Sequence, residues 1–549
     1  MEIRTVLTGA ILSATAMIGA AASEDSHGGS SLDRELRAFI AEHRLTGDAI
    51  DSRKLPIPSL TDPLPRLGKL LFWSKGMSPA KDVACVTCHH PMLGFGDAMP
   101  LPVGVGADNP ELLGPGRKRV NKPGTFPPFG TGDSAMPRNS PTLIGLAFWD
   151  QSITWDGTVF SATGTPGMSG VDGRLIAPVD SPPVRGEFTN FMLPRQEYIR
   201  YEDKFKAGMP ISSGHGMFPA AVNAAMRGGA YGAAGSPQTP GSTDLDVRQK
   251  LAARFGGYSD PNDRFAKNEW LPLFRAGFKD DQSPSEQLIT ANNISIALAD
   301  YERTMTFTHT PWRAYVRGDA KAIGESAKRG ARMFFATVEQ GGANCASCHS
   351  GDFFSDEKYW VLAVPQIGRG KTDLNDFGDG IDDWGRGHVT GHRDDKYAYR
   401  TPTLLGVEVT APFGHSGVFN TLEDIVRHHL NVERSIASFD YGTIPTTGGP
   451  INSNNAKAHT QYALDMLRSQ RAAGLPGVIR DIELSDGQVS DIVNFLKSLT
   501  DPCLKSNKCL AQWIPNASDP DPDDLRLCAV DKNGREYLPG SCKRSGARR

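Results

Sequence analysis

Apolar residues recur with helical spacing in several separated stretches, and the chain between them is dense in glycine, proline and aspartate. Residues 33–46 carry the first such pattern and predict a lead helix. Leu67-Gly68-Lys69-Leu70-Leu71-Phe72 and Arg329-Gly330-Ala331-Arg332-Met333-Phe334-Phe335 predict two short amphipathic helices. From Ser283 to Thr306 an apolar stripe of Ile289, Ile294, Ile296, Leu298 and Tyr301 predicts a longer helix, with Ser283 or Ser285 as its cap. Residues 421–430 and 485–498 complete the helical set; in the second, Ser485 caps the start and Asp486 suits the helix dipole. Residues 100–138 and 366–398 predict long irregular loops. Residues 203–268, dominated by Gly, Ala, Pro and Ser, predict an insertion on the surface.

One apolar run has a different meaning. Arg4 precedes an apolar stretch from Val6 to Ala22, and Ala20-Ala21-Ala22 offers a small-residue cleavage site before Ser23-Glu24. That order is the order of a secretory signal over residues 1–22 and predicts a periplasmic mature protein. No other apolar run is long enough to span a bilayer. The length of 549 residues suggests two or three domains. With 22% charged and 39% hydrophobic residues, the composition is that of an ordinary soluble protein. A net charge of -3 gives no reason to expect nucleic acid or an anionic membrane as partner.

Cysteine placement adds the chemistry. Of eight cysteines, Cys503, Cys509, Cys528 and Cys542 fall in the last fifty or so residues. In an oxidising compartment an even set predicts two disulfides, with the local pairing Cys503–Cys509 and Cys528–Cys542 favoured among three. A four-cysteine zinc site is disfavoured by the irregular spacing. The other four form Cys85-Val86-Thr87-Cys88-His89 and Cys345-Ala346-Ser347-Cys348-His349. In Cys-x-x-Cys-His, both thiols add to the vinyl groups of one porphyrin and the following histidine meets the iron. A redox or zinc use of Cys-x-x-Cys would need a second cysteine pair or a thioredoxin-like context, and neither motif has one. Two covalently bound c-type haems are therefore predicted, with Cys85, Cys88, His89, Cys345, Cys348 and His349 as attachment and proximal-ligand residues. The motifs lie some 260 residues apart, which suggests one haem per domain.

The division predicted is a signal over 1–22, a lead segment over 23–59 and a first cytochrome c-type domain over 60–200. A Gly/Pro-rich insertion over 201–282, a second cytochrome c-type domain over 283–500 and a disulfide-stapled tail over 501–549 follow.

Several motifs in order between about 60 and 500 carry a family resemblance. They are Leu67 to Phe72, Cys85 to Pro91 with Gly94 and Gly96-Asp97, Arg138-Asn139-Ser140-Pro141-Thr142, and Trp155-Asp156-Gly157. Ala297-Leu298-Ala299-Asp300-Tyr301-Glu302-Arg303-Thr304, Tyr399-Arg400-Thr401-Pro402-Thr403-Leu404 and Thr410-Ala411-Pro412-Phe413-Gly414-His415-Ser416-Gly417 complete the series. The chain resembles the bacterial dihaem cytochrome c peroxidases, which include the MauG-type enzymes. The resemblance implies two mainly helical cytochrome c domains whose haems face a shared interface. The first haem would react with hydrogen peroxide and the second would pass electrons to it. Trp155 would relay electrons between them; a core tryptophan is the plainer alternative. Asn139, Thr410 and Pro412 match the family's interdomain calcium site, where an amide oxygen and backbone carbonyls suit a hard cation. Arg400 and His415 match interface residues that bind haem propionates or ordered water. Family members often form dimers, so a homodimer is allowed, although no interface signal is present.

Departures from the family pattern sharpen the expectation. Where some members carry a histidine that closes the resting first haem, this chain has Val105 in Val103-Gly104-Val105-Gly106, so the first haem is expected to be open. His215, in the insertion, is the rival ligand. The family's second distal ligand falls fourteen residues after the histidine of His415-Ser416-Gly417, which gives His429 in Arg427-His428-His429-Leu430. A low-spin bis-histidine haem follows. Glu187, in Arg185-Gly186-Glu187-Phe188, is the candidate acid/base for O–O cleavage, with an ordinary surface glutamate as the alternative. Three functions fit these residues. The first is a periplasmic dihaem peroxidase fed by a small cytochrome or cupredoxin. The second is a MauG-type enzyme that oxidises a side chain of a partner protein. The third is an electron-transfer cytochrome without catalysis, which requires both haems to be six-coordinate.

Overall fold

The computed structural model describes residues 30–53, 57–78, 81–104, 107–118, 138–149, 154–157, 244–367, 383–387, 392–444 and 453–542. The signal segment, Val105, Glu187 and His215 lie outside these residues.

The described chain is mainly helical. Its longer helices are α1 (Ser31–Glu42), α2 (Pro63–Trp73), α3 (Asp244–Gly256), α4 (Trp270–Phe278), α5 (Ala291–Glu302), α6 (Glu325–Phe335), α7 (Leu422–Leu430), α8 (Ser453–Ala472) and α9 (Asp486–Lys497). A two-stranded antiparallel ribbon, β1 (Tyr359–Val361) and β2 (Ala398–Arg400), pairs Tyr359 with Arg400. Among the described residues no helix is long and apolar enough to cross a membrane.

The two predicted amphipathic helices are α2 and α6, and each leads into a haem motif. Each is crossed by one partner helix at a glycine. A Cβ on Gly68 of α2 would collide with the carbonyl oxygen of Ala297 on α5, and one on Gly330 of α6 with that of Asp491 on α9. Only a residue without a side chain allows these backbones to approach so closely. Large side chains then fill the core around each crossing. Trp73, Phe72 and Tyr301 are buried in one place, and Phe334, Phe335, Trp312 and Phe495 in the other. The α9 start is closed by a capping box between Ser485 and Gln488, which satisfies two backbone donors.

Two expectations change. The helix predicted from Ser283 is broken: Ser285–Leu288 is a single turn, and α5 begins at Ala291 with Thr290 as its cap. Both serine and threonine accept from the backbone at N3, so the pattern alone did not choose between them. The surface assignment of 203–268 fails for its described part, 244–268. There Leu251, Ala252, Phe255 and Phe265 are buried, and Arg254 is fully buried on Asp263 and the carbonyls of Gly76 and Ser78. The bulk composition upstream hid a helical period that the core uses. Tyr258, Trp270 and Phe274 extend this packing toward α2 and α5.

The tail is joined by disulfides Cys503–Cys509 and Cys528–Cys542. It runs back across the first haem loop, where Leu527 N donates to Trp73 O at 2.9 Å and Leu113 N to Val530 O at 3.0 Å.

Candidate functional site

Each haem motif sits on a single 3-10 turn, Cys85–Thr87 and Cys345–Ser347. The turn folds each histidine back on its first cysteine, His89 N donating to Cys85 O at 3.2 Å and His349 N to Cys345 O at 2.9 Å. None of the four cysteines is taken up by a disulfide. His89 Nδ1 donates to Phe95 O at 3.1 Å, and His349 Nδ1 to Phe354 O at 3.1 Å. A carbonyl can only accept, so each Nδ1 carries its proton and Nε2 keeps its lone pair. Burial holds both imidazoles near a pKa of about 4, with the neighbouring His429 also lowering that of His349. Neutral imidazole is the form that binds iron.

His429, at the end of α7, faces His349. The ring centroids are 6.4 Å apart, with planes at 54°. Two metal–imidazole bonds of about 2 Å, plus roughly 1 Å from nitrogen to ring centre on each side, sum to about 6 Å. One iron therefore fits between the two rings. His429 Nδ1 donates to Ile425 O at 2.8 Å, which again leaves Nε2 as the free nitrogen. Burial lowers the His429 pKa as well. His428 is occupied elsewhere, with Nδ1 on Ser435 Oγ at 3.0 Å and Nε2 on Leu362 O at 2.9 Å. Adjacent residues on a helix point in different directions, so only one of the pair can face His349.

Between the motifs, the other predicted residues form one connected group. Trp155 Nε1 donates to Asn139 O at 3.0 Å, and Asn139 N donates to His415 O at 2.8 Å. Arg400 N donates to Trp155 O at 2.8 Å and its Nε to Thr154 O at 3.2 Å. The Arg400 guanidinium lies 3.4 Å from the centroid of the Trp149 ring, and burial lowers its pKa to about 10. His415 stacks on Tyr399 with centroids 3.6 Å apart and planes at 9°. Among the described residues its Nε2 is buried without a hydrogen-bond partner, and burial holds its pKa near 3. Asn139 also donates from Nδ2 to Met99 O at 2.8 Å, and Thr410 Oγ1 donates to Val407 O at 3.2 Å. Pro412 follows a cis peptide bond after Ala411. Asn139 thus borders the 410–417 loop that holds Thr410 and Pro412. Glu187 lies outside the described residues.

Sequence reasoning missed the charge cluster that ties this group together. Arg138 Nε donates to Asp383 Oδ2 at 2.7 Å, Nη2 to Asp383 Oδ1 at 2.5 Å, and Nη1 pairs with Asp156 Oδ2 at 2.9 Å. All three groups are buried. Burial alone would lower the Arg138 pKa, but the two carboxylates outweigh it and raise the group well above its usual value. Arg138 and Asp156 stand inside motifs already singled out, beside Asn139 and Trp155. Nothing in the sequence signalled Asp383 as their partner, 245 residues away.

The chain is similar to several known proteins. Residues 63–321 match the family model described as di-haem cytochrome c peroxidase. The methylamine utilization protein MauG of Methylorubrum extorquens is 25% identical over 367 residues, covering 66% of this chain and 67% of that one. The cytochrome c551 peroxidase of Pseudomonas aeruginosa is 29% identical over 158 residues, covering 29% of this chain and 41% of that one. A crystal structure of a MauG-like protein associated with microbial copper homeostasis superposes with a TM-score of 0.46 at 18% identity, covering 83% of this chain and 96% of that one.

Proposed function

Because this chain belongs to the di-haem cytochrome c peroxidase family and is an oxidoreductase, we propose that it is a periplasmic peroxidase with a divided task. Cys85, Cys88 and His89 would hold the haem whose iron would supply the redox chemistry for hydrogen peroxide. Cys345, Cys348, His349 and His429 would hold the second haem, which would supply electrons drawn from a small cytochrome or cupredoxin. The observation that carries the reading is the facing pair His349 and His429. With both imidazoles on one iron no position would be left for peroxide, so the peroxide chemistry would fall to the group held by Cys85, Cys88 and His89.

When bound, each haem supplies a redox-active iron whose potential follows its axial ligands and surroundings. The protein's part is orientation and proton control. Phe95 O and Phe354 O fix the proximal imidazoles in one tautomer. Reduction of peroxide to two waters takes two electrons and two protons. Glu187 is assigned the shuttling of a proton between the two oxygens. Trp155 is assigned the relay of electrons between the two units; its indole N–H is anchored on Asn139 O. Arg400 and His415 are assigned to propionates or ordered water at the interface; the unpartnered His415 Nε2 supports this, since a buried donor or acceptor without a partner is costly. Calcium is assigned to the Asn139 amide oxygen with the carbonyls of Thr410 and Pro412, which the Asn139–His415 hydrogen bond brings into one neighbourhood.

A second reading, MauG-type oxidation of a side chain on a partner protein, is favoured by one observation: the residue facing His349 is His429, a nitrogen donor, which as a ligand would stabilise the more oxidised state.

The test is an EPR spectrum of the oxidised protein before and after stoichiometric hydrogen peroxide. One high-spin and one low-spin ferric signal, with the high-spin signal lost on peroxide, is the expected result. A high-valent signal that persists without donor selects the MauG-type reading. Two low-spin signals indifferent to peroxide refute both.

A further inference from the structure

Trp155 sits on a turn, Thr154 to Gly157, closed by Gly157 N donating to Thr154 O at 3.1 Å. A turn has no ladder of its own, so its carbonyls must find donors elsewhere. All four carbonyls find them in one place. Arg400 Nε donates to Thr154 O at 3.2 Å, and Arg400 N to Trp155 O at 2.8 Å. Arg386 Nη1 donates to Asp156 O at 3.2 Å and to Gly157 O at 3.3 Å. Two arginines thus take four successive carbonyls.

Both arginines lie in the chain that follows the second haem motif. Arg400 ends β2, opposite Tyr359 of β1. Arg386 N donates to Ala398 O on the same strand at 2.8 Å, and its guanidinium lies 4.3 Å from the centroid of the Tyr359 ring. Gly157, with φ +69°, closes against this surface, where a Cβ would collide with Tyr359 Oη. The ribbon and Arg386 therefore form a seat that fits only this turn. The opposite side is held by the chain between the motifs. Trp155 Nε1 donates to Asn139 O at 3.0 Å, and the Asp156 carboxylate meets Arg138 Nη1 at 2.9 Å. One segment fixes the backbone of Trp155 and another fixes its ring, so the two torsions of the indole side chain have little freedom left.

We propose that Arg386 is a positioning residue for Trp155: with Arg400 and the ribbon it seats the 154–157 turn, and so holds the indole at one place and angle between the two haem motifs. The proposal rests on the assignment of electron relay to Trp155. A guanidinium suits the task, because its donors are fixed in one plane and its charge strengthens each bond to a carbonyl. A relay works only where its ring is held, so loosening the seat slows the transfer without touching either haem motif.

The test uses the holoprotein. Hydrogen exchange at the Gly157 amide and the Trp155 indole N–H reads the seat. The rate at which the pre-reduced second haem is oxidised at saturating hydrogen peroxide reads the relay. Arg386→Met is expected to speed exchange at both sites about tenfold, the factor that hydrogen bonds from a charged donor are worth. It is also expected to slow the oxidation, with the resting spectra of both haems unchanged. Added to Trp155→Phe, Arg386→Met is expected to cost no further rate, whereas a merely structural role would slow both backgrounds alike. Unchanged exchange in Arg386→Met overturns the proposal, as does an equal further fall in rate in the Trp155→Phe background. A Trp155→Phe protein as fast as wild type overturns the relay reading instead, while the exchange rates still decide the seat. Should the Met variant fail to mature, Arg386→Lys keeps the charge and loses the planar fork. Exchange at Gly157 about fivefold faster then supports the seat, and unchanged exchange overturns it.

Discussion

The Arg138 cluster makes a demanding test of how the two halves hold together. Arg138→Met removes the cation and leaves Asp156 and Asp383 buried without it. Their side chains are 1% and 2% exposed, so water cannot take its place. Breaking a buried pair from one side costs about 3–5 kcal/mol. Some of that is relieved, because Asp383 Oδ1 still accepts from Gly385 N at 3.0 Å and Asp156 Oδ1 from Thr154 Oγ1 at 3.1 Å. The expected loss is about 3–4 kcal/mol at neutral pH, with both haems attached. Asp156→Asn and Asp383→Asn added to Arg138→Met remove the two buried carboxylate charges, and the triple variant should regain part of the loss. The assay is denaturant unfolding followed by far-UV circular dichroism and by haem absorbance, which also shows whether the transition is single. A single Arg138→Met variant within about 1 kcal/mol of wild type would refute the reasoning, as would a triple variant no more stable than the single one.

His429→Gly should convert the second haem from low-spin to high-spin, doubling the high-spin ferric signal, and added imidazole should reverse the change; an unaltered spectrum rules out His429 as ligand. His415, neutral and held near a pKa of about 3 by burial, should make the fold lose stability as pH falls. Its folded pKa lies below the unfolded value of about 6.5, so the unfolded chain takes up the proton first and the loss runs from there down to about 3. At pH 5 it amounts to about 2 kcal/mol, and His415→Asn should show a drop from pH 7 to pH 5 smaller by that amount in urea titrations. Gly68→Ala should force α2 and α5 apart at the Ala297 carbonyl, at a cost of at least about 1–3 kcal/mol, read as a lowered thermal midpoint. A wild-type midpoint would show that the helices can shift without penalty.

The local devices of this protein were legible in its sequence. Two Cys-x-x-Cys-His motifs specify their own 3-10 turns and histidine placement, because attachment and ligation involve residues within a five-residue span. The helical periods of 67–72 and 329–335 were equally local, as was the cap at Ser485. What depended on distant segments meeting was not legible. His428 and His429 are adjacent and chemically alike; the family's spacing pointed to His429, but that its ring lies beside His349 while His428 is held by Ser435 and Leu362 was set by the fold. Arg138 and Asp383 find each other across 245 residues, and no pattern along the chain measures that distance. The helix 244–256 looked like surface because its neighbours are rich in small residues; its burial is a property of α2 and α5, which receive it. Sequence determined which groups could react and which could bind iron, since that chemistry is carried by residue type and short spacing. Tertiary structure decided which of them are neutral, paired or facing one another, because burial and contact are set by the whole fold and by no single segment of it.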